Sequence, residues 1–217
     1  MRYPAVIFDM DGTVLNTLED LLTSLNLTLD QFGLPRRSLD EMRHFVGKGM
    51  RYQIECGAGP DVPPGMIDRM LPVYVKNYAV HGAERTRPYE GIPEMIGRLR
   101  EAGCRTAVVS NKNDAAVRRL ADLYFPGLFD VSVGEREGIR RKPAPDSVNE
   151  VLERLGVSRQ EAVYVGDSEI DIQTAENAGL DLIAVGWGFR TEEELKRSGA
   201  GRVFASAEEV EAFLLGE

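Results

Sequence analysis

Apolar residues fall along this chain in two rhythms. Short runs at 5–8, 106–109, 162–165 and 182–185, with a weaker one near 129–133, have the length and composition of strands. An apolar run with no polar alternation is what a strand covered on both faces needs. Between the runs, segments 93–101, 114–124, 146–155 and 170–178 carry the longer helical period, and Gly103 and Gly179 close the first and last of them. Strands alternating with helices of this size predict an α/β fold: a Rossmann-like parallel sheet with helices on both faces.

One region breaks the alternation. Leu18, Leu21, Leu22, Leu25 and Leu29 repeat at helical spacing over 17–32, and further helical patches follow at 39–45, 50–56 and 66–80. Gly47, Gly49, Gly57, Gly59 and the Pro63-Pro64 pair punctuate turns between them. No strand pattern interrupts this stretch. It predicts two domains: an α/β core from 1–14 and 88–217, and a small helical domain, 15–87, inserted after the first strand.

Composition narrows the class. The chain has 217 residues, 43% of them hydrophobic, enough to bury a sizeable core. Its 35 acidic and 26 basic residues give a net charge of −9, which weighs against nucleic acid or an anionic membrane as partner. No apolar run is long enough to span a bilayer, and Met1-Arg2-Tyr3-Pro4 leads into a strand pattern without a signal-peptide core. With only Cys56 and Cys104, far apart, no disulfide framework is expected, and the cytoplasm is the expected compartment.

The chemistry gathers just past the strands, where open parallel sheets bind their ligands. Asp9 and Asp11 flank Met10 at the exit of the first strand. Two carboxylates there repel unless a cation lies between them or one holds a proton. Helix capping accounts for one of them and a catalytic pair with a divalent metal for both. After the second strand comes Ser110-Asn111-Lys112, either an anion site made of a hydroxyl and backbone N–H groups or an ordinary helix entry capped by Asn113 or Asp114. Arg140-Arg141-Lys142-Pro143-Ala144-Pro145-Asp146 fixes a cation ahead of a helix, as a functional lysine or as a solvated basic turn. Gly166-Asp167-Ser168-Glu169-Ile170-Asp171 puts Asp167 at a strand exit like Asp9, where a hard cation takes both carboxylates. Asp171 either completes a capping box with Ser168 or supports Lys142 or a metal-bound water. The loop Gly186-Trp187-Gly188-Phe189-Arg190 is an aromatic turn or a border of the site.

In this order, DMDGT, SNK, RKPAP and GDSEID resemble the haloacid dehalogenase superfamily over essentially the whole chain, including a helical cap inserted after the first motif. The resemblance implies phosphoryl transfer through an aspartyl-phosphate. It makes Asp9 the nucleophile and Asp11 the group that protonates the leaving oxygen and then deprotonates water. It implies Mg²⁺ held by Asp9, the backbone carbonyl of Asp11 and Asp167. Phosphate would be gripped by Ser110, Asn111, Lys142 and the Asp11-Gly12 segment.

Asp11 favours phosphate esters over the dehalogenases and phosphonate hydrolases, which lack it. Gly12-Thr13 is more similar to the phosphatases than to the hexose-phosphate mutases. The helical insert, Phe45-Val46-Gly47-Lys48-Gly49 and the Trp187-Gly188 loop most resemble the phosphoglycolate phosphatase branch. The expected substrate is therefore a small phosphorylated metabolite of that kind. A β-phosphoglucomutase-like mutase, a pyrophosphatase and a non-catalytic phosphate-binding module remain the alternatives. Arg43, His44, Lys48 and Arg51 are candidates for contacting a carboxylate or sugar, or form an exposed basic helix face. Monomer and homodimer are both open.

Overall fold

The computed structural model describes residues 2–216. The chain divides into two compact units, one made of the segments up to Leu15 and from Pro88 onward, the other Asn16–Arg87. β1 (Ala5–Phe8) opens the larger unit, and β2 (Leu15–Asn16) marks the exit from it. Four helices make up the smaller one: α1 (Leu18–Gln31), α2 (Leu39–Phe45), α3 (Met50–Ala58) and α4 (Pro64–His81). After β3 (Arg87–Pro88) come α5 (Ile92–Glu101), β4 (Arg105–Asn113), α6 (Asp114–Tyr124) and β5 (Val131–Glu135). Then follow α7 (Asp146–Leu155), β6 (Ala162–Gly166), α8 (Glu169–Ala178) and β7 (Asp181–Val185). The remaining elements are α9 (Glu192–Arg197), β8 (Val203–Phe204) and α10 (Ala207–Leu215).

The larger unit is built on a six-stranded sheet in the order β5-β4-β1-β6-β7-β8, every neighbouring pair parallel. β1 lies centrally, with Phe8 in register with Val108 of β4 on one side and Val165 of β6 on the other. Successive side chains of a strand point to opposite faces. Ala5 and Ile7 accordingly join a cluster with Val148, Val151 and Leu155 of α7 and with Ala175 and Ala178 of α8. Val6 and Phe8 are equally buried on the other face, which explains the unbroken apolar run.

In the smaller unit α1 packs on α4, and α3 on α4. Leu18, Leu21, Leu25 and Leu29 form the buried stripe of α1, and Ile67, Met70, Tyr74 and Tyr78 that of α4. A buried carboxylate ties the two ends of this unit together. Asp20 accepts hydrogen bonds from the backbone N–H of Arg85 at 3.0 Å and of Thr86 at 2.8 Å, and from the Thr86 hydroxyl at 2.7 Å.

Three features differ from the sequence pattern. The sheet is one strand wider than the runs indicate, because β8 is only Val203–Phe204 and the adjoining α9 is almost wholly charged. β4 runs on to Asn113, so Ser110-Asn111-Lys112 lies inside the strand, past a register shift, rather than after it. Pro64 starts α4 instead of punctuating a turn, as proline in a first helical turn can. Both cysteines are free thiols. Among the described residues no helix is long and apolar enough to cross a membrane.

Replacing Asp20 with Ala strands three donors and is expected to cost about 2–4 kcal/mol of stability. Urea unfolding of Asp20→Ala measures it, and an unchanged midpoint would remove Asp20 from the account of this unit.

Candidate active site

The loop after β1 is wound tightly around one carbonyl. Met10 O accepts from the N–H groups of Thr13, Val14 and Leu15. Gly12 makes the turn possible with φ +87°, and a side chain there would overlap the carboxylate of Asp167. Gly188 is required for the same reason, since a Cβ would collide with Asp167 and with Gly12 O. Asp9 and Asp167, from neighbouring strand ends, are both buried.

Lys142 lies against Asp9. Its ammonium is 2.8 Å from Asp9 Oδ1 and donates to Asp171 Oδ1 at 2.9 Å and to the Tyr164 hydroxyl at 3.0 Å. The side chain of Asn111 grips the backbone of this lysine at two points: Lys142 N–H donates to Oδ1 at 2.8 Å, and Nδ2 donates to the Lys142 carbonyl at 2.9 Å. Asp171 meets both readings of its position. Its Oδ2 accepts from the Ser168 N–H at 3.1 Å and the Ser168 hydroxyl at 2.6 Å, and its Oδ1 receives Lys142.

Asp167 is held from both sides. Thr13 donates its hydroxyl to Oδ1 at 2.9 Å, and the N–H of Phe189 donates to Oδ2 at 2.7 Å. The Trp187 indole N–H in turn donates to the Thr13 carbonyl at 2.9 Å, so the 186–190 loop does border the site. Arg190 of that loop pairs with Glu169 at 2.9 Å.

Asp9, Asp167 and Asp171 each bring a carboxylate oxygen within 4.8 Å of the others. Three carboxylates against one ammonium leave two negative charges in a buried place, a state that water-free surroundings strongly disfavour. The titration pattern follows. Burial above all, with Asp171 and Asp11 adding and Lys142 opposing, pushes the Asp9 carboxyl up to about 7. Burial, then Asp171 and Asp9, holds Asp167 well above the usual carboxylate range. Burial works against the charge of Lys142, but Asp171 and Asp9 outweigh it and raise its pKa. Burial likewise keeps the Tyr164 phenol protonated far above its ordinary value. Asp9 Oδ1 is buried, and its partner is the Lys142 ammonium, an ion pair whose angles are poor for a hydrogen bond. An oxygen-only, net-negative cluster of three carboxylates fits a hard divalent cation.

The other expected residues stand as follows. Asp11 is outside the three-carboxylate cluster, and its Oδ2 is 2.9 Å from Lys112 Nζ. Ser110 is buried, its Oγ accepting from the N–H of Lys112 at 3.3 Å. Asn113, not Asp114, caps α6 through the N–H of Ala115. In the smaller unit Arg43 and His44 lie in the last turn of α2, Lys48 lies 4.9 Å over the Tyr52 ring, and Arg51 pairs with Asp68 at 2.5 Å and Glu55 at 3.8 Å. Sequence reasoning passed over Lys112, Tyr164 and Thr13. A lysine inside a strand exit was a usable signal for the first. Tyr164 is indistinguishable from core in Ala162-Val163-Tyr164-Val165.

The sequence matches the haloacid dehalogenase-like hydrolase family over residues 6–185. The chain belongs to that family. Among its relatives, a phosphoglycolate phosphatase of Xanthomonas campestris pv. campestris is 34% identical over 89% of this chain and 88% of its own. One of Rhodobacter capsulatus is 35% identical over 86% of each. A crystal structure from Lactobacillus delbrueckii subsp. bulgaricus, provisionally named a phosphoglycolate phosphatase, superposes with a TM-score of 0.94 at 40% identity over the full length of both chains. This hydrolase therefore shares both the core and the helical elements with proteins of that name.

Asp9 moves from an ordinary 3.8 to about 7 on folding, so between those values the folded hydrolase keeps a proton that the unfolded chain has lost. Its contribution to stability is accordingly present at low pH and is lost as pH rises through that window. A divalent cation bound by this cluster would replace the proton, with a stabilising effect that grows with pH. The expected result is a larger cation-induced rise in melting temperature at pH 8 than at pH 5. Equal rises at the two pH values contradict the assignment of Asp9 to the cation site.

Proposed function

We propose that this hydrolase is a Mg²⁺-dependent phosphatase of small phosphomonoesters, phosphoglycolate or a close analogue being the favoured substrate. The observation that carries the reading is the division among the strand-end carboxylates. Asp9, Asp167 and Asp171 bring carboxylate oxygens within 4.8 Å of one another, with Lys142 against Asp9 and Asp171, while Asp11, two residues from Asp9, pairs with Lys112. Such a division supplies a nucleophile beside a cation site and a separate group for moving protons.

Asp9 and Asp167, with the backbone carbonyl of Asp11, are the groups we assign to Mg²⁺. When bound, the ion offsets the repulsion between a carboxylate nucleophile and a phosphate dianion. An Asp9 oxygen attacks phosphorus, the bond to the leaving oxygen breaks, and that oxygen takes a proton from Asp11. Water then attacks the aspartyl-phosphate, giving its proton to Asp11, and inorganic phosphate leaves as the Asp9 carboxylate reforms. Lys142, the Ser110 hydroxyl and the backbone N–H of Asn111 hold the phosphoryl oxygens, where charge spreads in the transition state, whereas the Gly12 N–H already donates to the Leu15 carbonyl at 2.9 Å. Asp171 and Tyr164 aim the Lys142 ammonium, and Asn111 fixes its backbone.

We assign the Asn16–Arg87 unit the part of a cap that selects the substrate, with Arg43, His44 and Lys48 as the groups for its carboxylate. Arg51 is the weakest of these assignments because two carboxylates of its own unit already take its guanidinium. Phosphoglycolate is favoured because relatives bearing that name match over nearly nine-tenths of the chain.

A phosphate-release panel with Mg²⁺ over 2-phosphoglycolate, sugar phosphates and pyrophosphate tests the substrate assignment. The expected outcome is highest kcat/KM on 2-phosphoglycolate, whereas conversion of β-glucose 1-phosphate to glucose 6-phosphate would identify a mutase. Asp9→Asn is expected to lower kcat at least about a thousandfold, as loss of a covalent nucleophile does. Turnover like the wild type's in that variant would remove Asp9 from the nucleophile's role.

A further inference from the structure

Lys112 is a buried charge that the family resemblance gives no role. Its side chain is 2% exposed, and its ammonium lies 2.9 Å from Oδ2 of Asp11, itself 10% exposed. Burying an ammonium is costly unless a carboxylate meets it, so this pair is a built feature and not a solvated surface bridge. The topology accounts for it. β1 and β4 are parallel neighbours with Phe8 beside Val108, so Asp11, three residues on, and Lys112, four residues on, emerge side by side.

Four carboxylates crowd these strand ends, and two lysines divide them. Lys142 contacts Asp9 and Asp171. Lys112 contacts Asp11, whose carboxylate is not one of the three that gather within 4.8 Å. We infer that Lys112 is the positioning residue for Asp11: it holds that carboxyl group out of the cation cluster and on the leaving-group side, where a proton must be delivered. The inference rests on the phosphatase reading. The step it serves is the first one, in which the Asp9 oxygen–phosphorus bond forms, the bond from phosphorus to the leaving oxygen breaks, and the electron pair left on that oxygen takes the proton of Asp11.

A positioning role has a signature that damage to the fold lacks. An alkoxide is a strong base and departs only with proton help, whereas p-nitrophenolate departs nearly unaided, so misplacing Asp11 penalises alkyl esters selectively. The experiment compares wild type, Lys112→Met, Asp11→Asn and the double variant with saturating Mg²⁺ on ethyl phosphate, 2-phosphoglycolate and p-nitrophenyl phosphate. Asp11→Asn should cost about 10²–10⁴ in kcat on the two alkyl esters, the usual range for a general acid. Lys112→Met is expected to lose at least about tenfold more kcat on both alkyl esters than on the aryl ester, with KM changed less than about threefold. In the Asp11→Asn background it should add less than about threefold, because residues acting as a unit are not additive.

Equal losses on alkyl and aryl esters, or full additivity with Asp11→Asn, overturn the inference. A loss confined to 2-phosphoglycolate overturns it too, and makes Lys112 a contact for the substrate's carboxylate. Lys112→Gln, which keeps a long polar side chain, serves if the Met variant does not fold, with thermal unfolding reporting on both. If the wild type hydrolyses none of the three esters, the phosphatase reading itself fails and this inference with it. Turnover by the wild type with no ester-selective loss sinks the Lys112 assignment alone.

Discussion

A buried ammonium is the constraint around which this site is organised. Lys142 is almost wholly removed from water, and a charge so placed persists only where partners replace its hydration shell. Asp9, Asp171 and Tyr164 are those partners, each within 3.0 Å of Nζ. Each carries a further duty. Asp171 closes the start of α8 through Ser168, Tyr164 packs in the sheet core beside Ile7, and Asp9 is the exit of the central strand. Charge satisfaction, helix initiation and core packing thus meet in one cluster.

The strand order explains why these groups can meet. β1 has β4 and β6 as neighbours, and the exits of all three supply the site: Asp9 and Asp11, Ser110 to Lys112, and Asp167. Lys142 comes from the connection between β5, the edge strand next to β4, and α7. It reaches the centre because Asn111 catches its backbone with both donor and acceptor. An amide side chain suits that duty, since it can give and accept at once whereas a carboxylate can only accept. The cluster's net negative charge is then a property of the sheet's central crossing.

Much of this was legible in the residues, for physical reasons that differ from element to element. The parallel sheet was readable because strands buried on two faces must be apolar without alternation, as in Ala5–Phe8. Asp9 and Asp167 were readable because polar residues directly after such runs stand out, and Lys142 because Pro143 and Pro145 fix it ahead of a helix. The far end of the sheet was not, since Val203–Phe204 is too short to carry a period. Tyr164 was hidden by the aromatic body that makes it good core. Lys112 was overlooked because Ser110-Asn111-Lys112 drew attention to its hydroxyl and backbone. Partnership between Lys112 and Asp11 is a matter of register between β1 and β4, two strands remote from each other in the chain.

The bond from Trp187 to the loop after β1 has an optical consequence. The chain holds a single tryptophan, and its indole N–H donates to the carbonyl of Thr13, the residue whose hydroxyl steadies Asp167. Long-wavelength emission from this protein therefore arises at one place, two hydrogen bonds from a carboxylate of the cluster. The chromophore needs no label and no engineered substitution, and its surroundings are those of the loop after β1.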